Sequence, residues 1–254
     1  MNLFKFSTGN AKLGKRLIFS LPAGHTCPGA GLCRTYANRE NGTITDKPMG
    51  GSDSLEFRCF AAMAETRPNV RNARWHNWDV MQTALKQDGD PALNVYSVLM
   101  ASLDAQPVLD LVRVHESGDY KTLEYMKGWM LTAAARPHQK FYSYTKSLPS
   151  WLALHDQIPS NFYLTASCGG LFDHMIAEYP DVFRRYAKVT YSQSEADSLG
   201  LAVDHDDSHC FEDAPFALLV HGSQRKGSAA SKAIQTRKRL GEFVGYNKSK
   251  ALVS

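Results

Sequence analysis

The sequence has few cysteines and lacks the long apolar runs of membrane or secreted proteins. Its five cysteines are an odd number without the regular spacing of a disulfide framework, so we expect reduced thiols and a cytoplasmic location. No apolar run approaches the ~20 residues of a membrane span. The N-terminus also lacks the apolar core of a signal peptide. These features predict that the protein has no membrane partner.

The chain also has little net charge over most of its length. The net charge is +4, yet residues 225–254 alone contain eight basic residues and one acidic residue. We therefore predict a single domain over residues 1–224 and a basic C-terminal tail over residues 225–254. Clustered cations bind nucleic-acid phosphates, so DNA or RNA is the predicted partner of this tail. The alternative is a solvated helix.

Short apolar runs that favour strands alternate with helical patterns. The six predicted strands span residues 17–21, 109–115, 140–145, 161–166, 187–191 and 216–221. This alternation predicts parallel βα units and an α/β fold, in the form of a partial or distorted TIM-like (βα) barrel with mostly parallel strands. Ligands of such folds bind at the carboxyl ends of the strands.

Polar residues follow most of these predicted strands. His115, Ser117 and Asp119 lie at the end of the second strand, Lys146 follows the third and His221 ends the last. Their placement predicts a site at the strand ends. The alternative for Asp119 is a helix cap, a position that Asp favours. Arg113, within the second strand, is expected to be buried and therefore to need a partner.

Three cysteines lie in the first quarter of the chain. Cys27 and Cys33 flank a Pro/Gly-rich loop after the first strand, and Cys59 begins a helical pattern. We treat residues 23–60 as an insertion that contains these cysteines. Three thiolates without an obvious fourth partner suggest a metal site with one open position, and they suit iron–sulfur or zinc equally. The alternative is buried cysteines without a ligand.

Residues 204–210 (DHDDSHC) form the densest run of side chains able to bind a metal. Two histidines and three carboxylates suit a divalent ion or acid–base chemistry. The alternative is a solvated acidic loop.

The chain resembles the phage gene product 88-like family over most of its length. The similarity lies in residues 6–14, 26–30, 58–61, 113–119, 141–146 and 204–209. The resemblance implies that Asp207 and His209 of the last segment point inward. More distantly, the order of a cysteine loop, a strand ending in Ser-Gly-Asp and a strand ending in Thr-Lys is similar to radical S-adenosylmethionine enzymes. Membership of a phage family implies that the protein acts in the host cytoplasm.

The resemblance to radical enzymes implies a partial TIM barrel in which three cysteines hold a [4Fe–4S] cluster and the fourth iron binds S-adenosylmethionine. The implied cluster ligands are Cys27, Cys33 and Cys59. The implied S-adenosylmethionine contacts are His115, Ser117 and Asp119, and the implied catalytic residues are Lys146, His209 and His221. Five residues separate Cys27 from Cys33, whereas three separate the first two cysteines of the usual motif. The expected substrate is a nucleotide or nucleic acid.

Two other functions fit the same residues. A divalent metal bound by His115, Asp119, His205 and His209 would make the protein a hydrolase or nuclease. Structural zinc on the cysteines, together with the basic tail, would instead make it a nucleic-acid-binding protein without catalysis.

Overall fold

A seven-stranded parallel sheet forms the centre of the computed structural model, which describes residues 2–9, 12–47 and 56–245. Its strands are β1 (Leu17–Ser20), β4 (Leu111–Ser117), β5 (Lys140–Thr145), β6 (Phe162–Ser167), β7 (Tyr186–Thr190), β8 (Ala202–Val203) and β9 (Phe216–Leu219). The strand order is β1-β4-β5-β6-β7-β9-β8, and every neighbouring pair is parallel. A separate antiparallel hairpin joins β2 (Thr35–Ala37) to β3 (Ile44–Asp46).

Helices connect the strands, as parallel pairing requires. They are α1 (Phe60–Ala64), α2 (Pro68–Lys86), α3 (Pro91–Asp104), α4 (Leu123–Ala134), α5 (Leu148–Leu154), α6 (His174–Glu178), α7 (Gln193–Ser198) and α8 (Ala229–Arg239). Local sequence explains where two of them begin. The Asp90 side chain accepts a hydrogen bond from the Ala92 N–H at the start of α3, and the Thr122 side chain accepts one from the Tyr125 N–H at the start of α4.

The main core lies between the sheet and helices α2 to α4. The Phe19 ring of β1 lies 5.0 Å from the Trp129 ring of α4, measured between ring centroids, and both side chains are fully buried. Helices α3 and α4 pack closely because residue 128 is glycine. A Cβ there would lie 2.6 Å from a methyl carbon of Val95. This core anchors β1 and β4, whose carboxyl ends contribute to the candidate site.

The predicted α/β fold with parallel strands is confirmed. The described strands form no closed sheet, because β1 and β8 remain its two edges, and curvature of the sheet into part of a barrel remains a prediction. Sequence analysis missed the β2–β3 hairpin and β8, which are each only two or three residues per strand. None of the described helices combines the length and apolar character needed to span a membrane.

Part of the predicted basic tail is folded. Helix α8 lies within it, and the buried Arg237 donates hydrogen bonds to the carbonyls of Val220 and Phe243. Helix α8 is therefore anchored to the exit of β9. Residues 246–254, which include two of the tail's lysines, lie outside the described residues.

Candidate functional site

A cavity of about 800 Å³ lies at the carboxyl edge of the parallel sheet. Residues after β1, β4, β5, β6 and β9 line it, including Cys27, Asp119, Lys146, Ser167 and His221. This is the edge at which parallel α/β proteins bind their ligands. The strand exits predicted to carry polar groups therefore meet at one cavity.

The loop after β1 crosses the ends of neighbouring strands. The Leu32 N–H donates to the Gly169 carbonyl at 2.8 Å, and the Leu171 N–H donates to the Gly29 carbonyl at 2.9 Å. Both bonds join this loop to the exit of β6. The loop is thereby held across the sheet edge, and Cys27 and Cys33 line the cavity.

Glycine is required where this loop touches the strand exits. A Cβ at Gly29 would lie 2.2 Å from the Lys146 carbonyl oxygen, and a Cβ at Gly31 would lie 2.7 Å from the Gly169 carbonyl oxygen. Backbone atoms cannot move aside as the end of a flexible side chain can. The Pro/Gly composition noted in the sequence therefore allows close docking of the loop onto β5 and β6.

Cys59 reaches the same cavity from a different segment. It immediately precedes α1, and the N–H groups of Ala61 and Ala62 lower the pKa of its thiol. Burial has the larger effect and, with charge on Cys33, raises that pKa to about 11. Arg58, the preceding residue, is fixed by a two-pronged ion pair with Asp46 at 2.7 to 3.0 Å.

The three thiols are electrostatically coupled. Burial raises the pKa of Cys27 well above its ordinary value, and charge on Asp119, Cys59 and Cys33 would raise it further. Cys27 and Cys59 are therefore neutral thiols at pH 7 when no cation is bound. A bound metal would reverse this preference, because thiolates are the ligating form.

The thiols do not converge on a point that suits one ion. Within residues 2–9, 12–47 and 56–245, no three His, Cys, Asp or Glu side chains are grouped closely enough to hold a single metal. Zinc–thiolate bonds of ~2.3 Å in a tetrahedron would require sulfur atoms about 3.8 Å apart. The described side chains thus contain no preassembled cage for a lone zinc ion.

Asp119 is the most extensively hydrogen-bonded carboxylate of the cavity. It accepts hydrogen bonds from the Thr145 hydroxyl at 2.6 Å, the Lys146 N–H at 2.7 Å and the Tyr120 N–H at 2.8 Å. Burial raises its pKa, and these hydrogen bonds offset part of that rise. Since Thr122 caps α4, the alternative of Asp119 as a helix cap is wrong.

Gly118 brings Asp119 close to the cysteine loop. Its φ of +85° is favourable only for glycine, and a Cβ would lie 2.6 Å from both the Leu21 Cβ and the Thr26 hydroxyl oxygen. The exits of β1 and β4 therefore pack directly against each other. This contact explains why the Asp119 charge acts on Cys27.

His115 is buried and neutral. Its backbone has a φ of +64°, where β4 is irregular against β1, and its Nε2 lies 3.0 Å from the Tyr125 hydroxyl. Burial lowers its pKa to about 3. Ser117 also lines the cavity, and its buried hydroxyl has no hydrogen-bond partner.

Of the three predicted catalytic residues, Lys146 and His221 line the cavity. The Lys146 ammonium donates to the Ser167 carbonyl at 2.7 Å, to the Ser167 hydroxyl at 3.0 Å and to the Cys168 carbonyl. It therefore joins the exits of β5 and β6. Burial lowers the pKa of His221, whose ring lies 4.6 Å from that of Phe60.

His209 lies elsewhere. Its ring stacks on Phe216, and Nδ1 lies 2.8 Å from a carboxylate oxygen of Glu212. Neither His209 nor His205 lines the cavity, and the His205 ring packs against Phe243. The 204–210 run therefore does not bring its two histidines to the other candidate ligands, since short loops point successive side chains in different directions.

Asp207 does point inward, into a buried ion cluster that sequence analysis did not assemble. Its carboxylate lies 2.5 Å from the Lys12 ammonium and 2.6 Å from the Arg113 guanidinium. The hydroxyls of Tyr142 and Tyr144 donate to it at 3.1 and 3.3 Å. The sequence signals for this cluster are Asp207, which was expected to point inward, and Arg113, an arginine within an apolar strand.

The basic segments of the chain are partly used for internal contacts. In α2, Arg71 donates to the carbonyls of Arg39, Glu40 and Glu65. Arg74 pairs with the buried Glu65 carboxylate at 3.0 Å. These arginines and Arg237 of α8 are buried, so they contribute no exposed cation for nucleic acid.

The sheet and the cavity define an α/β protein with a candidate ligand site at the carboxyl edge of parallel strands. A family model described as "Gene product 88" matches residues 2–239, so the chain belongs to this family. The predicted resemblance to the phage family is thus confirmed.

One curated relative is the "Gene 88 protein" of Mycobacterium phage L5, which is 23% identical over 143 residues. The alignment covers 55% of this chain and 60% of that protein, so the chain spans about three fifths of the curated relative it matches. No solved structure matches. The more distant resemblance to radical S-adenosylmethionine enzymes remains a prediction.

Proposed function

We propose that the protein is an iron–sulfur enzyme of the radical S-adenosylmethionine type, with Cys27, Cys33 and Cys59 as the cluster ligands. One observation carries this proposal: three cysteines from two separate chain segments line one cavity at the carboxyl edge of a parallel sheet. A closed structural site commonly has four protein ligands, whereas three leave one metal position for another ligand.

The thiol arrangement fits a cluster better than a single zinc ion. Each cysteine of a four-iron cluster binds a different iron, so the three sulfur atoms need not approach one point. The absence of a single-ion cage among the described side chains is compatible with that arrangement. Cluster binding would require Cys27 and Cys59 to lose their protons, because thiolates are the ligating form.

The strand order supports a partial barrel. From β1 through β4, β5, β6 and β7 to β9, each strand lies beside the next strand of the sheet in chain order, and only β8 departs from this order at the far edge. A doubly wound sheet would reverse direction at an internal strand. Uniform succession is instead the order of a (βα) barrel, and here the barrel would be incomplete.

Asp119 is suited to hold an ammonium group such as that of S-adenosylmethionine. Its carboxylate uses three of about four acceptor positions within the protein. The remaining position and the negative charge are available near Cys27. When bound, the cluster and S-adenosylmethionine would supply one-electron reductive chemistry. The docked cysteine loop would shield that chemistry from water, and Lys146 and His221 would border the substrate.

A nucleotide or nucleic-acid substrate follows from the basic C-terminal segment. Helix α8 contains no acidic residue and carries Lys232, Lys238 and Arg239 in addition to the buried Arg237. Gln224, shortly before α8, lines the cavity. The basic segment thus begins shortly after β9, next in sequence to residues that line the cavity. A polyanion bound to this segment would contact residues that follow the cavity wall in sequence.

Anaerobic purification with iron, sulfide and zinc analysis tests the cluster. The wild type should be brown and contain about four irons per chain, and Cys27→Ala should lose them. Cys168→Ala is the matched control, because Cys168 does not line the cavity, and it should retain the iron. Reductive cleavage of S-adenosylmethionine should follow the iron content.

Three results would overturn the proposal. One zinc per chain would leave a structural site and a nucleic-acid-binding function. Protein that takes up no metal after reconstitution with iron and sulfide would remove the cluster. Equal loss of iron in Cys27→Ala and Cys168→Ala would show that the cavity is not where the iron binds.

A further inference from the structure

Strand β4 carries three incompletely bonded polar side chains beside the cavity. Arg113, His115 and Ser117 are buried and line the cavity, and each has one buried polar atom without a partner: Nε, Nδ1 and the hydroxyl oxygen respectively. Such atoms are rare in folded proteins, because burial without a hydrogen bond is costly. The His115 ring packs among Phe19, Tyr120 and Trp129 of the main core. The unpaired atoms of Arg113 and Ser117 instead indicate partners supplied by a ligand.

These atoms lie close enough for one ligand. Arg113 and Ser117 pair with Ile18 and Ser20 of β1, which are two residues apart. They are therefore separated along the sheet by about 7 Å, the length of two strand residues. A cavity of about 800 Å³ is large enough for a molecule that spans this distance.

Arg113 has one edge of its guanidinium unused. Its hydrogen bond to Asp207 runs through Nη1 at 2.6 Å, and the guanidinium carbon lies 5.3 Å from the Tyr144 ring centre. Among the described residues, no hydrogen bond reaches Nε. The edge formed by Nε and Nη2 has the spacing that binds two oxygens of a carboxylate or phosphate.

The charges behind Arg113 leave it able to attract an anion. Asp207 is fully buried and does not line the cavity. Its carboxylate forms ion pairs with Arg113 and Lys12, and both of these cations line the cavity. Two cations therefore share one carboxylate placed behind them. Asp204 and Glu116 also line the cavity. Burial raises the pKa of Asp204, which reduces the cost of neutralising it beside an anion.

We propose that the Nε–Nη2 edge of Arg113 binds an oxyanion of the cavity ligand, with the Ser117 hydroxyl contacting a neutral polar atom of that ligand. The oxyanion is either a phosphate of the substrate or the carboxylate of an amino-acid moiety such as that of S-adenosylmethionine. This assignment concerns the cavity and does not require a cluster on the cysteines.

The test measures binding of inorganic phosphate, pyrophosphate and methionine to the full chain by calorimetry. Arg113→Lys keeps a cation beside Asp207 but loses the two-pronged edge. Arg58→Lys is the control, because the Arg58 edge is already occupied by Asp46. Arg113→Lys should weaken binding about tenfold or more, as expected for one lost charge-assisted bond. Arg58→Lys should leave it unchanged.

The source of the oxyanion follows from which probe responds. Weakening confined to the phosphates assigns Arg113 to the substrate, and weakening confined to methionine assigns it to the amino-acid moiety. The assay with phosphate and pyrophosphate is repeated on Cys27→Ala, which should bind these two anions normally even where it has lost iron. The two proposals can therefore fail separately.

A measurement on wild type avoids dependence on variant folding. The nitrogen-15 resonance of the buried Arg113 Nε–H should shift when pyrophosphate or methionine is added. An equal concentration of chloride should not move this resonance. No binding of any probe, equal weakening by Arg58→Lys, or an unchanged Nε–H resonance at saturation would overturn the proposal.

Discussion

Replacing Asp207 by asparagine should strongly destabilise the protein. Its carboxylate is the shared counter-ion of Lys12 and Arg113, at 2.5 and 2.6 Å, and is fully buried. Asparagine has nearly the same shape and also accepts the φ of +68° found here. The substitution therefore removes the charge with little change of backbone or packing, and Lys12 and Arg113 lose the buried counter-ion that they share.

The expected loss is about 3–5 kcal/mol, the usual result of breaking a buried ion pair by removing one partner. With a urea dependence of ~3 kcal/mol per molar, the unfolding midpoint should fall by about 1 to 1.7 M. Asp206→Asn is the control. That carboxylate is exposed and accepts a hydrogen bond from the Ser208 N–H, so its loss should cost no more than ~1 kcal/mol.

The stability difference between wild type and Asp207→Asn should shrink at acidic pH. Burial alone would raise the pKa of Asp207, but Arg113 and Lys12 outweigh it and hold the pKa below its ordinary value. The wild-type advantage is therefore complete above the unfolded pKa of ~3.9 and is lost as the pH falls through the lower folded pKa. Similar midpoints for the two variants at pH 7, or a difference between wild type and Asp207→Asn that grows below pH 4, would refute this reasoning.

Three further predictions concern the cavity. Gly29→Ala should lower iron content, because its Cβ would lie 2.2 Å from the Lys146 carbonyl and displace the cysteine loop. Full iron content in this variant would show that close contact between this loop and the exit of β5 is not needed for iron binding. Metal affinity, measured by chelator competition, should rise from pH 6.5 to 8.5. The reason is that burial raises the pKa of Cys59 to about 11 and also raises that of Cys27 above its ordinary value. An affinity that does not change with pH would show that no protons are released. His115, whose pKa burial lowers to about 3, should show no titration between pH 8 and 5 in its ring NMR signals, and a midpoint in that range would mean that it is hydrated.

Much of the sheet could be predicted because buried parallel strands are short apolar runs. The prediction for residues 140–145 coincides with β5 (Lys140–Thr145), and the other predicted strands overlap the observed ones. The predicted second strand, 109–115, is shifted two residues from β4 (Leu111–Ser117). The polar residues after 115 obscured its end, because those residues line the cavity rather than the apolar core.

The contacts that assemble the site were harder to predict because they join distant segments. Arg113 and Asp207 are 94 residues apart, and only the need of a buried arginine for a partner pointed to such a pair. Cys59 lies beyond the hairpin that follows Cys33, so sequence spacing alone did not place it near the other cysteines. His209 was expected inward with Asp207, but adjacent residues of a short 3-10 turn face different directions.

The cysteine positions depend on the sheet as much as on their own loop. Backbone hydrogen bonds tie that loop to the exit of β6, and Gly29 contacts the exit of β5. The Lys146 ammonium in turn joins those two exits. A substitution of Lys146 would therefore displace the loop that carries Cys27 and Cys33 without a direct change to either thiol. Loss of metal in a Lys146 variant would then show displaced ligands, and a catalytic role for Lys146 would require lost turnover at unchanged metal content.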